Sequence, residues 1–166
     1  MVPNIHYAYD SVNGKIYKLT PSAMTWNDAE AYAATFKFTP AGHVYPSHLA
    51  SINSEAENAF CKKLAAAADS SVWIGGNDVA SEGVWVWSDT GQQFWAGASN
   101  GSAVGGAYAN WNSGEPNNSG GAENYAEMRT AGNWNDNNGG RTKRGIVEVG
   151  GTFPDANSDG IPDELA

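Results

Sequence analysis

The end of a long polar excursion over residues 89–124 most constrains this chain, because the stretch from Glu115 onward must become ordered with almost no apolar residues to pack. Gly, Ser, Asn and Ala dominate the excursion, and it runs into Glu115-Pro116-Asn117-Asn118 and then Glu123. Loops beyond roughly 12–15 residues are uncommon in compact domains, and are mostly functional or disordered. Burial of hydrophobic surface cannot offset the entropy of ordering such a segment. Its polar residues offer another route. Glu115, Glu123 and, further on, Asp136 are carboxylates, while Asn117 and Asn135 are side-chain amides. A hard cation taking about six to eight oxygen ligands would order them. The pattern therefore predicts a calcium site that also binds a ligand.

The remainder of the chain supports one compact domain over residues 1–150 and an acidic tail over 151–166. With 166 residues it is long enough to bury a real core, and seven Trp and seven Tyr supply large side chains to fill it. Twenty Gly and only 16% charged residues indicate a turn-rich chain rather than a helical bundle. The net charge of -9, with the nine Lys and Arg scattered, argues against nucleic acid, which needs a basic stripe. The single cysteine, Cys61, excludes an intramolecular disulfide and a cysteine zinc site. His6, His43 and His48 show no zinc-ligand spacing, and no apolar run is long enough to insert in a membrane.

Local patterns place the elements. Residues 7–20 alternate loosely through Tyr7, Tyr9, Ile16, Tyr17 and Leu19, with Asn13-Gly14 as a tight hairpin turn. Thr25 and Asp28 open a helix near 26–36 whose apolar face is Trp26, Ala29, Ala33 and Phe36. His48–Ile52 reads as a connector into a second helix, which Ser54 and Glu57 cap and which carries Ala56, Phe60, Leu64 and Ala67 as its stripe. Val72-Trp73-Ile74 is a strand ended by Gly75-Gly76, and Val84–Trp87 is another. Strands resume at Tyr125–Met128 and Arg144–Val149 after the long polar excursion. The order predicts an α+β fold with mostly antiparallel pairing.

Taken together, these strings resemble a C-type lectin-like domain over nearly all of residues 5–149. The resemblance rests on Trp26 and Ala29, the His48–Ile52 connector, Glu57, Trp73-Ile74-Gly75-Gly76 and Glu82-Gly83-Val84-Trp85. It continues through Glu115-Pro116-Asn117 and Trp134-Asn135-Asp136. It implies two helices flanking antiparallel sheets, with a long calcium-binding loop. It also implies that Glu115, Asn117, Glu123, Asn135 and Asp136 hold one Ca2+. Glu115, Asn117, Glu123 and Asn135 then also meet the vicinal 3- and 4-hydroxyls of a sugar. The order acid, proline, amide implies equatorial diols, as in mannose, glucose, fucose or N-acetylglucosamine rather than galactose. A cis Glu115–Pro116 bond is expected, since X-Pro is where that isomer is cheap. The resemblance implies an auxiliary ion at Asp78, Glu82, Asn118 and Asn124, together with Glu123. Positions that carry two disulfides in animal members read Ala33 with Val147 and Tyr125 with Gly139, which suggests a microbial chain or one folding under reducing conditions, with packing and bound calcium in place of the bridges.

The tail carries Asp155, Asn157, Asp159, Gly160 and Asp163, an EF-hand-like succession of oxygen ligands that resembles the first unit of a thrombospondin type 3 calcium repeat. Ala166 stands where the closing carboxylate belongs, so the unit is incomplete and the natural protein is expected to continue into adjoining domains. The expected function is a calcium-dependent carbohydrate-binding module of an extracellular or cell-surface adhesin, with glycans as partners. The alternative is a protein- or ice-binding domain in which calcium is only structural. An enzyme is not expected: Glu115, Glu123 and Glu127 imitate a glycosidase pair, but carboxylates committed to calcium are held ionised.

Overall fold

The computed structural model describes residues 7–157 and 162–163. The chain opens with a hairpin of β1 (Ala8–Asp10) and β2 (Lys15–Leu19), paired with Asp10 opposite Lys15. The turn therefore has four residues, not the two that Asn13-Gly14 predicts. The Asp10 carboxylate is the reason. It accepts the N–H groups of Val12 and Asn13 at 3.1 and 3.3 Å, an Asx-type arrangement that substitutes for a tight turn.

α1 (Trp26–Thr35) starts as predicted, with Thr25 Oγ1 accepting the Asp28 N–H at 3.2 Å. β3 (Lys37–Phe38) and β4 (Tyr45–Leu49) follow. The predicted connector is thus half strand: His48 and Leu49 lie in β4. α2 (Glu55–Ala68) is capped by Ser54 Oγ, which accepts the Glu57 N–H at 3.1 Å. Its inward face is Glu57, Asn58, Cys61 and Ala65, while Ala56 and Ala67 are exposed. An Ala-rich helix gives periodicity little contrast, so the predicted stripe is turned partly toward solvent. Asn58 is buried because it has partners. Its amide donates to Gly132 O at 2.9 Å and accepts from Trp134 Nε1 at 2.8 Å.

The remaining strands are β5 (Val72–Asn77), β6 (Val84–Trp87), β7 (Gln93–Ala96), β8 (Ser102–Ala103), β9 (Tyr125–Met128), β10 (Trp134–Asn137) and β11 (Ile146–Val149). One sheet runs β1-β2-β11-β4-β3, and the other β10-β9-β5-β6-β7-β8. Gly75 and Gly76 lie inside β5 rather than ending it. A Cβ on Gly75 would fall 2.9 Å from Leu49 O, and one on Gly76 3.0 Å from Ala126 Cβ, so both glycines serve close backbone approach. The excursion is not wholly irregular, because β7 and β8 extend the second sheet within it. β10 lacks an apolar alternation and is an edge strand, which is why the sequence pattern passes over it.

Trp85, Trp87, Phe94 and Trp134 fill a core that α2 covers. A second cluster packs Trp26, Ala29 and Ala33 of α1 on Leu49, Trp73 and Val147. Both replaced disulfide positions are occupied by packing. Ala33 and Val147 are fully buried in this cluster. The Tyr125 ring lies where a Cβ on Gly139 would go, and it stacks obliquely on Trp26 with ring centroids 4.7 Å apart. Packing also runs past residue 150. Phe153 is fully buried against Ile16, Phe38 and Val149. No helix among the described residues is long and apolar enough to cross a membrane.

Candidate metal centre

The site is built where the polar loop meets the edge pair β9–β10. Antiparallel register sets Asn135 opposite Glu127 and Asp136 opposite Ala126. Asp136 therefore projects to the inner side and is fully buried. Its two oxygens accept the backbone N–H groups of Asn117 at 3.0 Å and Asn118 at 2.6 Å. This fastens the loop to the sheet just after the Glu115–Pro116 bond, which is cis as expected from the sequence. Asn118, at φ +46, turns the chain, and its side-chain oxygen accepts the Glu123 N–H at 3.0 Å. Ser119 donates its N–H to Asn117 Oδ1 and to Glu123 Oε2, both at 2.9 Å.

The result brings Glu115, Asn117, Glu123 and Asp136 into one cluster. Asn117 Nδ2 donates to Glu115 Oε1 at 3.1 Å, while Glu115 Oε2 is buried without a hydrogen-bond partner. Burial, the adjoining Asp136 carboxylate and the charge of Glu123 push the Glu115 carboxyl up to about 7. Burial and the charges of Asp136 and Glu127 likewise raise Glu123 against its bond from Ser119. Like charges gathered this way, with no Lys or Arg among the described residues within ion-pair distance of these three acids and only the more distant Arg141 opposing them at Glu123, favour a cation between them. Asn135 joins from β10. Its Nδ2 donates to Glu127 Oε1 at 3.0 Å, which leaves its Oδ1 for other use.

Among the described residues, no three His, Cys, Asp or Glu side chains close into a metal cluster by themselves. An ion here would draw part of its shell from amide oxygens, which suits calcium and not zinc. The unpaired buried oxygen of Glu115 and the mixed carboxylate–amide donor set fit such an ion. Glu115, Asn117, Glu123, Asn135 and Asp136 would hold it, supplying positive charge at which hydroxyl oxygens can bind.

The auxiliary set is only partly assembled. Asp78 is 2% exposed, accepts the Gly83 N–H at 2.8 Å with Oδ2, and leaves Oδ1 buried without a partner. Burial, followed by the charges of Glu82 and Asp136, pushes it up to about 6 against the Gly83 bond. Glu82 is exposed, the Asn118 oxygen is engaged by Glu123, and Asn124 contributes its backbone oxygen to the Asp78 N–H at 3.1 Å. In the tail, Asp163 Oδ1 accepts the Ala156 N–H at 3.1 Å, and its own N–H donates to Pro154 O at 2.8 Å. Asp155 is half-buried and Asn157 exposed, and Asp159 lies outside the described residues.

Sequence reasoning names Glu127 only as an imitation of a glycosidase acid and misses its contact with Asn135. Besides Asn135, Glu127 accepts Asn137 Nδ2 at 3.2 Å and pairs with Lys143 Nζ at 2.9 Å. Its signal was available, since pairing Tyr125–Met128 with the Trp-Asn-Asp segment puts Glu127 directly across from Asn135. The clamp role of Asp136 carries no such signal, because backbone acceptors leave no trace in side-chain pattern.

A family model described as the lectin C-type domain matches residues 22–147. The chain belongs to that family. Halomucin of Haloquadratum walsbyi is 33% identical over 147 residues, covering 86% of this chain and 2% of halomucin. A C-type lectin mannose-binding isoform of Oxyuranus scutellatus is 37% identical over 111 residues, 64% of this chain and 57% of that protein. Among solved structures, the cow C-type carbohydrate-recognition domain of CD23, crystallised in the presence of a GlcNAc2Man3 oligosaccharide, superposes with a TM-score of 0.66. It is 28% identical, with 89% of this chain and 95% of that one covered. The chain thus matches carbohydrate-recognition domains nearly whole, but spans only part of the curated relatives. Lectin domains of this family bind glycans and generally bind calcium, and they are typically secreted or displayed on cell surfaces.

Proposed function

We propose that this domain binds carbohydrate through calcium held by Glu115, Asn117, Glu123, Asn135 and Asp136. The sugars it takes carry vicinal equatorial 3,4-diols, as in mannose, glucose, fucose and N-acetylglucosamine. The observation that carries this reading is the Glu115–Asn117 pair, in which Asn117 Nδ2 meets Glu115 Oε1 at 3.1 Å while Glu115 Oε2 is shielded and receives no hydrogen bond. An acid offers one oxygen to metal and one to a hydroxyl proton. An amide offers its oxygen to metal and its NH2 to a hydroxyl oxygen. A hydroxyl between Glu115 and Asn117 therefore finds one acceptor and one donor, and the acid–amide pair Glu123 and Asn135 offers the same to its vicinal neighbour. A relative named as mannose-binding agrees with this choice of sugar.

A single open site of this kind gives millimolar affinity, about -4 kcal/mol, so adhesion by a larger exported protein requires several copies. Titration with methyl α-mannoside tests the reading. Binding is expected in calcium and lost in chelator, and Glu115→Gln combined with Asn117→Asp should shift preference toward galactose. Mannoside binding that persists unchanged in chelator contradicts it.

A further inference from the structure

A cleft of about 380 Å³ opens beside Glu115, lined along its length by Trp95, Ser99, Asn110, Trp111 and Asn112. Glu115 also lines it, so it adjoins the proposed calcium site. Its volume is at the lower end of what small-ligand sites use. The β7–β8 hairpin, within the excursion that pattern alone left irregular, supplies Trp95 and Ser99 to its lining.

Trp95 differs from the other tryptophans of this sheet. Trp85 and Trp134, at 1% and 0% exposure, belong wholly to the core, whereas Trp95 is only half-buried. It is nonetheless fixed. It stands opposite Trp85 in the β6–β7 register, and its Nε1–H donates to Ala98 O at 3.1 Å. The same Ala98 oxygen accepts the Gly101 N–H at 2.8 Å. Gly101 is required there, because a Cβ would collide with Ala96 O. The hairpin tip therefore holds an indole in place while leaving part of it uncovered. Trp111, which also lines the cleft, packs edge-on against Trp85 with centroids 4.8 Å apart.

Polar groups accompany the aromatic surface. Asn110 donates its amide to Gly132 O at 2.9 Å, and Asn112 accepts from Asn133 at 2.8 Å. These bonds fix both side chains and leave Asn110 Oδ1 and Asn112 Nδ2 with no hydrogen bond among the described residues. A fixed aromatic face bordered by one free acceptor and one free donor suits a pyranose, which has an apolar C–H face and a rim of hydroxyls. No Lys or Arg lines the cleft, whereas Glu115 does, so an anionic sugar is disfavoured.

We propose that this cleft is a second saccharide subsite. The domain then takes a neutral oligosaccharide, with one pyranose at the Glu115–Asn117 pair and the adjoining one against Trp95. The inference rests on the calcium-dependent glycan reading above. The site reads a linkage as well as a terminal sugar, and a free monosaccharide uses only half of it.

Calorimetric titration in saturating calcium, with methyl α-mannoside and with mannotriose, tests this on the native domain, Trp95→Ala and Ser99→Arg. Native protein should bind mannotriose roughly tenfold more tightly than the monoglycoside, the order expected for covering one aromatic face. Both variants should bring mannotriose down to the monoglycoside level and leave monoglycoside affinity within about twofold. Ser99 is exposed, so Ser99→Arg obstructs the cleft without disturbing the core, and it decides the matter if Trp95→Ala fails to fold. Equal affinity for the two ligands in native protein overturns the subsite, as does mannotriose binding that neither variant weakens. Absence of monoglycoside binding in calcium is a different result. It removes the primary site, and the subsite with it.

Discussion

Glu148 in β11 and Glu115 in the polar loop each bury one carboxylate oxygen that has no hydrogen-bond partner. Their surroundings are opposite. Glu148 Oε2 lies 3.9 Å from Lys15 Nζ and 3.6 Å from His48 Nε2, so basic side chains of this chain stand beside it. Burial still outweighs Lys15 and pushes Glu148 up to about 8, with Glu57 and Asp89 adding to the rise. Around Glu115 the neighbouring charges are Asp136 and Glu123, both negative. The interior acid is compensated from within the fold and by taking up a proton. The loop acids are held together by backbone N–H groups and left for a cation from outside.

The largest effect should come from removing the clamp that makes the loop cluster. Asp136→Ala leaves two backbone N–H groups without their acceptor in a fully buried position, at a cost of about 3 kcal/mol. It should also abolish calcium and glycan binding, as read by thermal melting and calorimetry. A variant that melts early but binds normally would show that the loop acids are not the cation site.

Calcium sharpens the contrast between the two acids. At about 100 times its Kd, a ligand specific for the folded state adds about 2.7 kcal/mol of stability. Glu115→Gln should remove most of that increment, and Glu148→Gln should retain it. Equal loss in both variants would erase the distinction.

Acidity probes Glu148 through the difference between native protein and its Gln variant, because Glu115 and Asp78 are raised as well. The folded pKa of Glu148, about 8, stands above its ordinary 4.5, so between those values the native state holds a proton that the unfolded chain has released. Stability from this group is therefore present below about pH 4.5 and is lost as the pH rises toward about 8. In chelator, chemical denaturation should show Glu148→Gln losing roughly 1–2 kcal/mol less than native protein over that window. Superimposable pH profiles would mean that Lys15 and His48 compensate the charge fully.

Much of the scaffold is legible in the sequence because its signals are local. Thr25 and Ser54 declare the helix starts, and Val84–Trp87 and Tyr125–Met128 stand out as strands. The inner face of α2 is illegible because Ala56 and Ala67 look as apolar as Ala65, while the buried Asn58 is placed by partners 74 and 76 residues away. β7 and β8 hide in a Gly- and Ser-rich stretch whose pairing is set by β6. Candidate ligands such as Glu115 and Asn117 are legible as chemistry. What holds them, the Asp136 clamp and the Glu127–Asn135 contact, depends on register.

The smallest effect concerns the packing that stands where disulfides resemble their positions elsewhere in the family. Gly139→Ala places a methyl group against the Tyr125 ring and should cost about 1 kcal/mol in thermal melting, without changing calcium affinity at the loop site. A loss of calcium affinity would mean that this packing supports the loop site rather than the scaffold alone.

The most direct measurement is a calorimetric titration of calcium into metal-free protein, repeated for Glu115→Gln, followed by methyl α-mannoside into each calcium-loaded sample. The account predicts saturable calcium binding with mannoside binding only in the native, loaded protein. Calcium uptake by Glu115→Gln equal to that of native protein, or mannoside binding before any calcium is added, would contradict it.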